Sequence, residues 1–194
     1  MRLLLALALC WACTAGAQPV TAGVQGEGAW HSPQEFPARG TAQVAFTPWD
    51  NAEAMIVAAI RGAQRQILVQ AFSFTSRVIA KALIAAKRRG VDVQLIADRE
   101  QTFGGEASRI PELANAGIPV RLETRYQSAH NKVMVLDAGT KHPAVITGSY
   151  NWTYAAQHKN AENVLILRDD PDLANAYAAN WQRHRADALP YALK

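Results

Sequence analysis

His130-Asn131-Lys132-Val133-Met134-Val135-Leu136-Asp137 places an imidazole two residues from a lysine, with a carboxylate five further on, and Gly148-Ser149-Tyr150-Asn151 follows. An imidazole can act as nucleophile, acid or base near neutral pH. A lysine beside it supplies fixed positive charge for phosphoryl oxygens. Glycine lets a phosphate approach the backbone, and Ser149 and Asn151 add neutral donors. The chemistry these types suit is attack on a phosphodiester, with side chains rather than a metal neutralising its charge. If His130 to Val135 forms a strand, its period of two puts His130 and Lys132 on one face while Val133 and Val135 face the core.

His-x-Lys-x4-Asp followed by Gly-Ser-x-Asn resembles the motif of the phospholipase D superfamily. Phe46-Thr47-Pro48, Gln70-Ala71-Phe72-Ser73-Phe74-Thr75, Arg89-Gly90-Val91-Asp92-Val93, Ala116-Gly117-Ile118-Pro119 and Glu162-Asn163 extend that resemblance to the small bacterial endonucleases of the superfamily, over residues 42–187. One spacing departs from the pattern: ten residues separate Asp137 from Gly148, against about six in the family. The surplus, around Gly139-Thr140-Lys141-His142-Pro143, is rich in turn formers and is expected to lengthen a hairpin loop away from the site.

The resemblance implies roles. Superfamily chains of about twice this length carry two motifs, so a single copy implies a symmetric homodimer whose motifs meet across the two-fold axis. One His130 then forms a covalent phosphohistidine while the partner's His130 protonates the leaving alcohol and later activates water; a coupled pair of histidines can hold one ring neutral and one charged. Lys132 and Asn151 bind and stabilise the phosphoryl group, and Ser149 contacts phosphate or holds its loop. Glu162, eleven residues after Asn151, is the group expected to hydrogen-bond and orient the histidine. Asp137 lies roughly 17 Å along the strand from Lys132 at ~3.3 Å per residue, so a structural ion pair is expected of it rather than catalysis. No metal and no cofactor is implied: His31, His142, His158 and His184 have no second ligand at metal spacing.

The elements that must position these residues alternate. Asp50 can cap a helix through about Gln64, Ile67 to Phe72 is a short apolar strand, and Ser76 to Arg89 a second helix stopped by Gly90. A strand from Val91 to Ala97, a helix from Ala107 to Ala116 and a strand from Ile118 to Leu122 continue the βαβ rhythm. Strands near Lys132 to Leu136, Ala144 to Thr147 and Asn163 to Leu167 follow, with a short helix or loop between the last two and a closing helix from Pro171 to about Arg185. The fold expected is α/β: a mixed, largely parallel sheet flanked by helices on both faces.

Arg2, the apolar stretch Leu3 to Ala12 and Ala15-Gly16-Ala17 read as a signal peptide over residues 1–17, too short to span a bilayer that needs about 20 apolar residues. Residues 18–41 read as a flexible leader and 42–194 as one catalytic domain. Export to the periplasm or beyond is expected, with no stable membrane insertion after cleavage. Cys10 and Cys13 both lie in the leading segment, which excludes disulfide or thiolate chemistry in the mature chain. The net charge of +4, or +3 without Arg2, suits an anionic partner.

Nucleic acid, bound through its phosphate backbone, is the expected partner. The leading expectation is an exported, metal-independent endonuclease with little sequence preference. The alternatives are a phospholipid phosphodiesterase or transphosphatidylase of the same superfamily, and a nucleic-acid-binding module that has lost the reaction. Arg77, Lys81 and Arg88 share one helix face, readable as a solvated surface or as a nucleic-acid track. Trp152 and Tyr150 are readable as buried support or as base-stacking platforms, and Arg125 and Tyr126 as substrate contacts or plain surface.

Overall fold

The computed structural model describes residues 32–104 and 107–192. The expected signal peptide lies outside them. Two units divide the chain, Met1–Glu35 and Phe36–Lys194, and every helix and strand among the described residues belongs to the second. Its strands are β1 Thr41–Thr47, β2 Gln66–Ala71, β3 Asp92–Asp98, β4 Val120–Glu123, β5 Lys132–Leu136, β6 Ala144–Gly148, β7 Glu162–Arg168 and β8 Leu189–Pro190. They form one sheet in the order β1-β7-β6-β5-β2-β3-β4-β8.

The sheet is mixed, as expected, but parallel pairing is confined to β2–β3 and β3–β4. The other five pairings are antiparallel, which corrects "largely parallel". The β2–β3 and β3–β4 connections carry helices that return the chain to start the next strand in the same direction, whereas β5 and β6 follow each other as a hairpin.

Among the described residues the helices are α1 Ala52–Gly62, α2 Arg77–Arg88, α3 Arg99–Phe103, α4 Ile110–Asn115, α5 Tyr154–His158 and α6 Pro171–Asp187. Asn51, not Asp50, caps α1 by accepting from the amide of Ala54; Ser76 caps α2 through the amide of Ile79 and Asp170 caps α6 through that of Leu173. The guanidinium of Arg89 donates to the carbonyls of Ile60, Arg61 and Ala63 at 3.2–3.4 Å, closing the end of α1.

Alternation along the strands separates two cores. Ile67, Val69, Leu95, Met134 and Ile146 pack with α1, α2 and α4, while Leu68, Ile96, Val133, Val135 and Val145 lie under Ala174 and Trp181 of α6. β5 is buried on both faces. β1 escapes a reading from periodicity because its larger alternating residues, Val44 and Phe46, stay exposed while Ala45 and Thr47 turn inward. Five-residue α3 is too short for the pattern of spacing to declare it.

Candidate active site

Pairing across the sheet gathers one end of five strands. Ala71 lies opposite Lys132, Gly148 opposite Val164, and Thr47 opposite Glu162. At this edge His130, Asn131, Lys132, Val133, Thr147, Gly148 and Ser149 line an open depression of about 280 Å³.

His130 is exposed and Lys132 is buried, at 6% exposure. The Lys132 Nζ lies 2.7 Å from His130 Nδ1 and also donates to the His130 carbonyl. An ammonium can only donate, so Nδ1 accepts, and a neutral ring carries its proton on Nε2. Phe72 supports both groups, its ring centroid 4.4 Å from that of His130 and 4.8 Å from Nζ. Burial lowers the Lys132 pKa from its ordinary value, and the charge of Glu162 opposes that shift. A lysine held this way is short of counter-charge, which a phosphate would supply.

Ser149 donates to Glu162 Oε2 at 2.5 Å and accepts from the amide of Asn163 at 3.1 Å. Asn160 Nδ2 donates to the other Glu162 oxygen at 2.9 Å. The carboxylate expected to orient His130 is therefore engaged by Ser149 and Asn160. The reason is the strand order: β7 is two strands from β5, roughly 10 Å at ~4.8 Å per strand, and Ser149 at the end of the intervening β6 intercepts it. Thr47 fixes the same corner, accepting from the amide of Glu162 at 3.2 Å and donating to the Ala156 carbonyl at 2.8 Å.

Gly148 lines the depression, yet its missing Cβ has a different cause from the one expected. Its φ is +147°, and a Cβ would stand 2.3 Å from the carbonyl oxygen of Asn163. Glycine is required there by the close approach of β7. Asn151 is half-buried and outside the depression's lining; its Oδ1 is buried with no hydrogen-bond partner among the described residues.

Asp137 occupies the far end of β5, and its carboxylate accepts from the amides of Gln64, Arg65 and Gln66 at 2.7–2.9 Å. It ties the end of β5 to the start of β2, with backbone amides in place of the expected ion pair. The reason is the β2–β5 register, which lays Leu136 against Ile67 and so sets the carboxylate over three unpaired N–H groups. The surplus loop leaves from this end, turning at Gly139 with φ +75°.

Trp152 and Tyr150 are both buried at 1% exposure, which settles them as support. The Trp152 indole donates to the Gln70 carbonyl at 3.0 Å. Burial, with Glu53 and Glu162 nearby, holds the Tyr150 phenol well above its ordinary pKa. Arg125 pairs with Asp187 at 2.6 Å, and Tyr126 lies against His184, which meets Glu123 at 2.5 Å. Spacing did not single out Phe72, Thr47, Asn160 or Asn163 as site residues; Thr47, Phe72 and Asn163 lay within runs that carried the resemblance. Among the described residues no three His, Cys, Asp or Glu side chains gather as a metal site.

Comparison with known proteins gives consistent relatives. The family described as "Cardiolipin synthase, PLD-like domain" matches residues 56–185. A phospholipase D of Rickettsia typhi is 37% identical over 149 residues, covering 77% of this chain and 70% of the relative. A mitochondrial cardiolipin hydrolase of Xenopus laevis is 37% identical over 134 residues, 69% of this chain and 61% of the relative. The crystal structure of Nuc, a phospholipase D family member from Salmonella typhimurium, superposes with a TM-score of 0.73 at 36% identity, covering 78% of this chain and 97% of Nuc.

Proposed function

Because the chain belongs to the phospholipase D superfamily of phosphodiesterases and is similar to Nuc over nearly all of that protein, we propose that it is an exported, metal-independent endonuclease that cleaves DNA, with RNA a second substrate, as a homodimer. The observation that carries this reading is the contact of exposed His130 with buried Lys132, both lining an open depression. A phosphate that draws the Lys132 ammonium to itself frees the imidazole nitrogen that the ammonium now occupies.

In the proposed reaction a His130 nitrogen attacks phosphorus, forming a P–N bond as the P–O bond to the leaving alcohol breaks. The partner's His130 gives its proton to the leaving oxygen. Water then attacks phosphorus and passes a proton to the partner's His130 as the P–N bond breaks, releasing a phosphomonoester. The second imidazole motivates the dimer, since His130 is the one histidine among the residues lining this depression. Lys132 supplies the positive charge, while Ser149 ties the Gly148 turn to Glu162 and so fixes the wall opposite Lys132. Asn151 binds the phosphoryl group through its amide once substrate is present. The single catalytic domain spans residues 42–194 and follows a signal peptide and leader.

A second reading, cleavage of phospholipid diesters, is favoured by the names of the rickettsial and frog relatives. Among the described residues no helix is long and apolar enough to cross a membrane.

The test is purified protein with plasmid DNA in excess EDTA, alongside His130→Ala and a parallel reaction on cardiolipin vesicles. Nicking by the wild type but not by His130→Ala is expected, with a loss of at least ~10³-fold in rate. Cleavage of cardiolipin with intact plasmid would move the assignment to the lipid reading. Equal nicking by His130→Ala would sink the mechanism, and a monomer by sedimentation during turnover would sink the shared site.

A further inference from the structure

A second cavity, of about 440 Å³, is lined by Glu53, Thr75, Ser76, Arg77, Arg109, Tyr154 and His158, among others. It is larger than the depression at His130, and two chain segments lead from that site to it. Phe72, whose ring touches His130, leads in three residues to Thr75, and Asn151 leads in three residues to Tyr154. The amides of Thr75 and Ser76 both donate to the Trp152 carbonyl at 2.9 Å, clamping the two segments side by side. At ~3.3 Å per extended residue the cavity begins roughly 10 Å from the reacting histidine.

Its charges are unevenly used. The Glu53 carboxylate accepts from the Ser76 hydroxyl at 2.5 Å, and Arg109 has one carboxylate, Glu112, at 3.6 Å. Arg77 is exposed and has no ion pair among the described residues. Beside these guanidinium groups Tyr154 stands 59% exposed, its ring 4.2 Å from that of His158. A cation flanked by an open aromatic pair matches the two requirements of single-stranded nucleic acid, phosphate neutralisation and a face for an unpaired base.

We propose that this cavity is a subsite for a single-stranded polynucleotide, holding a phosphate on Arg77 and Arg109 and stacking an unpaired base on Tyr154. The strand would engage it one to three nucleotides from the cleaved phosphate, since nucleotides advance about 3.4 Å each along a duplex strand and further when extended. The subsite rests on the nuclease reading and deepens it, separating Arg77 from Lys81 and Arg88, which share its helix face but lie outside the cavity.

The test measures binding of a fluorescein-labelled twelve-nucleotide oligothymidylate by anisotropy to full-length His130→Ala protein, alone and with Arg77→Glu, Tyr154→Ala or Lys81→Glu. Arg77→Glu and Tyr154→Ala are each expected to weaken binding about 10-fold, a value within the range for losing one stacked base, and Lys81→Glu by less than about 2-fold. The salt slope should fall by about 0.7 in Arg77→Ala, the change for one phosphate contact on a single strand. Equal losses in Arg77→Glu and Lys81→Glu would reduce the effect to bulk charge and overturn the subsite, as would unchanged binding by Tyr154→Ala or tighter binding of the matching duplex. Wild-type protein that cleaves the oligonucleotide while these variants bind normally overturns the subsite alone. Wild-type protein that cleaves no nucleic acid overturns the nuclease reading and the subsite together.

Discussion

The two ends of the β5–β6 hairpin carry the same motif under opposite conditions. At one end Asp137 is buried and its carboxylate is saturated by three backbone amides. At the other, Lys132 is buried with the ring nitrogen and carbonyl of an exposed His130 as its hydrogen-bonding partners, and Asn151 Oδ1 has no partner among the described residues. One end is satisfied within the fold and the other is left for a ligand to complete. A motif of three ionisable residues thus divides into chemistry and anchorage, and each half should fail differently.

Lys132→Met gives the largest separation. It should lower kcat on plasmid or oligonucleotide by roughly 10²–10³-fold, the scale for removing one stabilising donor from a reacting centre. Its urea midpoint should stay at or above that of the wild type, because burial disfavours the ammonium it removes. The same burial sets a pH dependence. Between the lowered pKa of Lys132 and 10.5 the unfolded chain holds more protons than the folded one, so wild-type stability gains from this residue as pH rises through that window. The Met variant should lack that gain. Activity moves in the opposite direction, since the charged lysine is lost at lower pH than usual; Lys132→Arg, if active, should carry its alkaline limit higher. A pH–rate profile with an unmoved alkaline limb would break the assignment of charge to Lys132.

Asp137→Ala should invert the pattern, costing roughly 3 kcal/mol in urea unfolding as three amides lose a charged acceptor. Residual folded enzyme should keep its KM. A stable Asp137→Ala protein with kcat reduced 100-fold would erase the division between the two ends. Ser149→Ala is expected to have the smallest effect, about a 10-fold loss of kcat with little change in thermal midpoint, because it frees Glu162 without removing the cation. An unchanged kcat would limit Ser149 to holding its loop.

Local grammar made much of this legible. The strand from Lys132 to Leu136, Ser76 as a cap and Gly90 with φ +92° all follow from local sequence. What spacing could not show depends on pairings far apart in sequence. The amides that satisfy Asp137 lie more than 70 residues before it. Glu162 was readable as part of the site, yet its engagement by Ser149 follows from β6 standing between β7 and β5. Gly148 was readable as a special position, though for the wrong neighbour, since Asn163 approaches from a strand that periodicity cannot align. β1 was hidden because an edge strand with its larger side chains outward reverses the usual signal.

That edge strand also has a consequence in time. Among the described strands β1 is the first to be synthesised, and its ladder runs from Thr41 opposite Arg168 to Thr47 opposite Glu162. Until β7 exists, Val44 and Phe46 have no cross-strand neighbours, and the corner that Thr47 builds around Glu162 cannot close. Completion of the sheet must therefore wait for most of the polypeptide, a long-range closure of the kind that slows folding. The earliest of the described strands is the one that finishes the reactive edge.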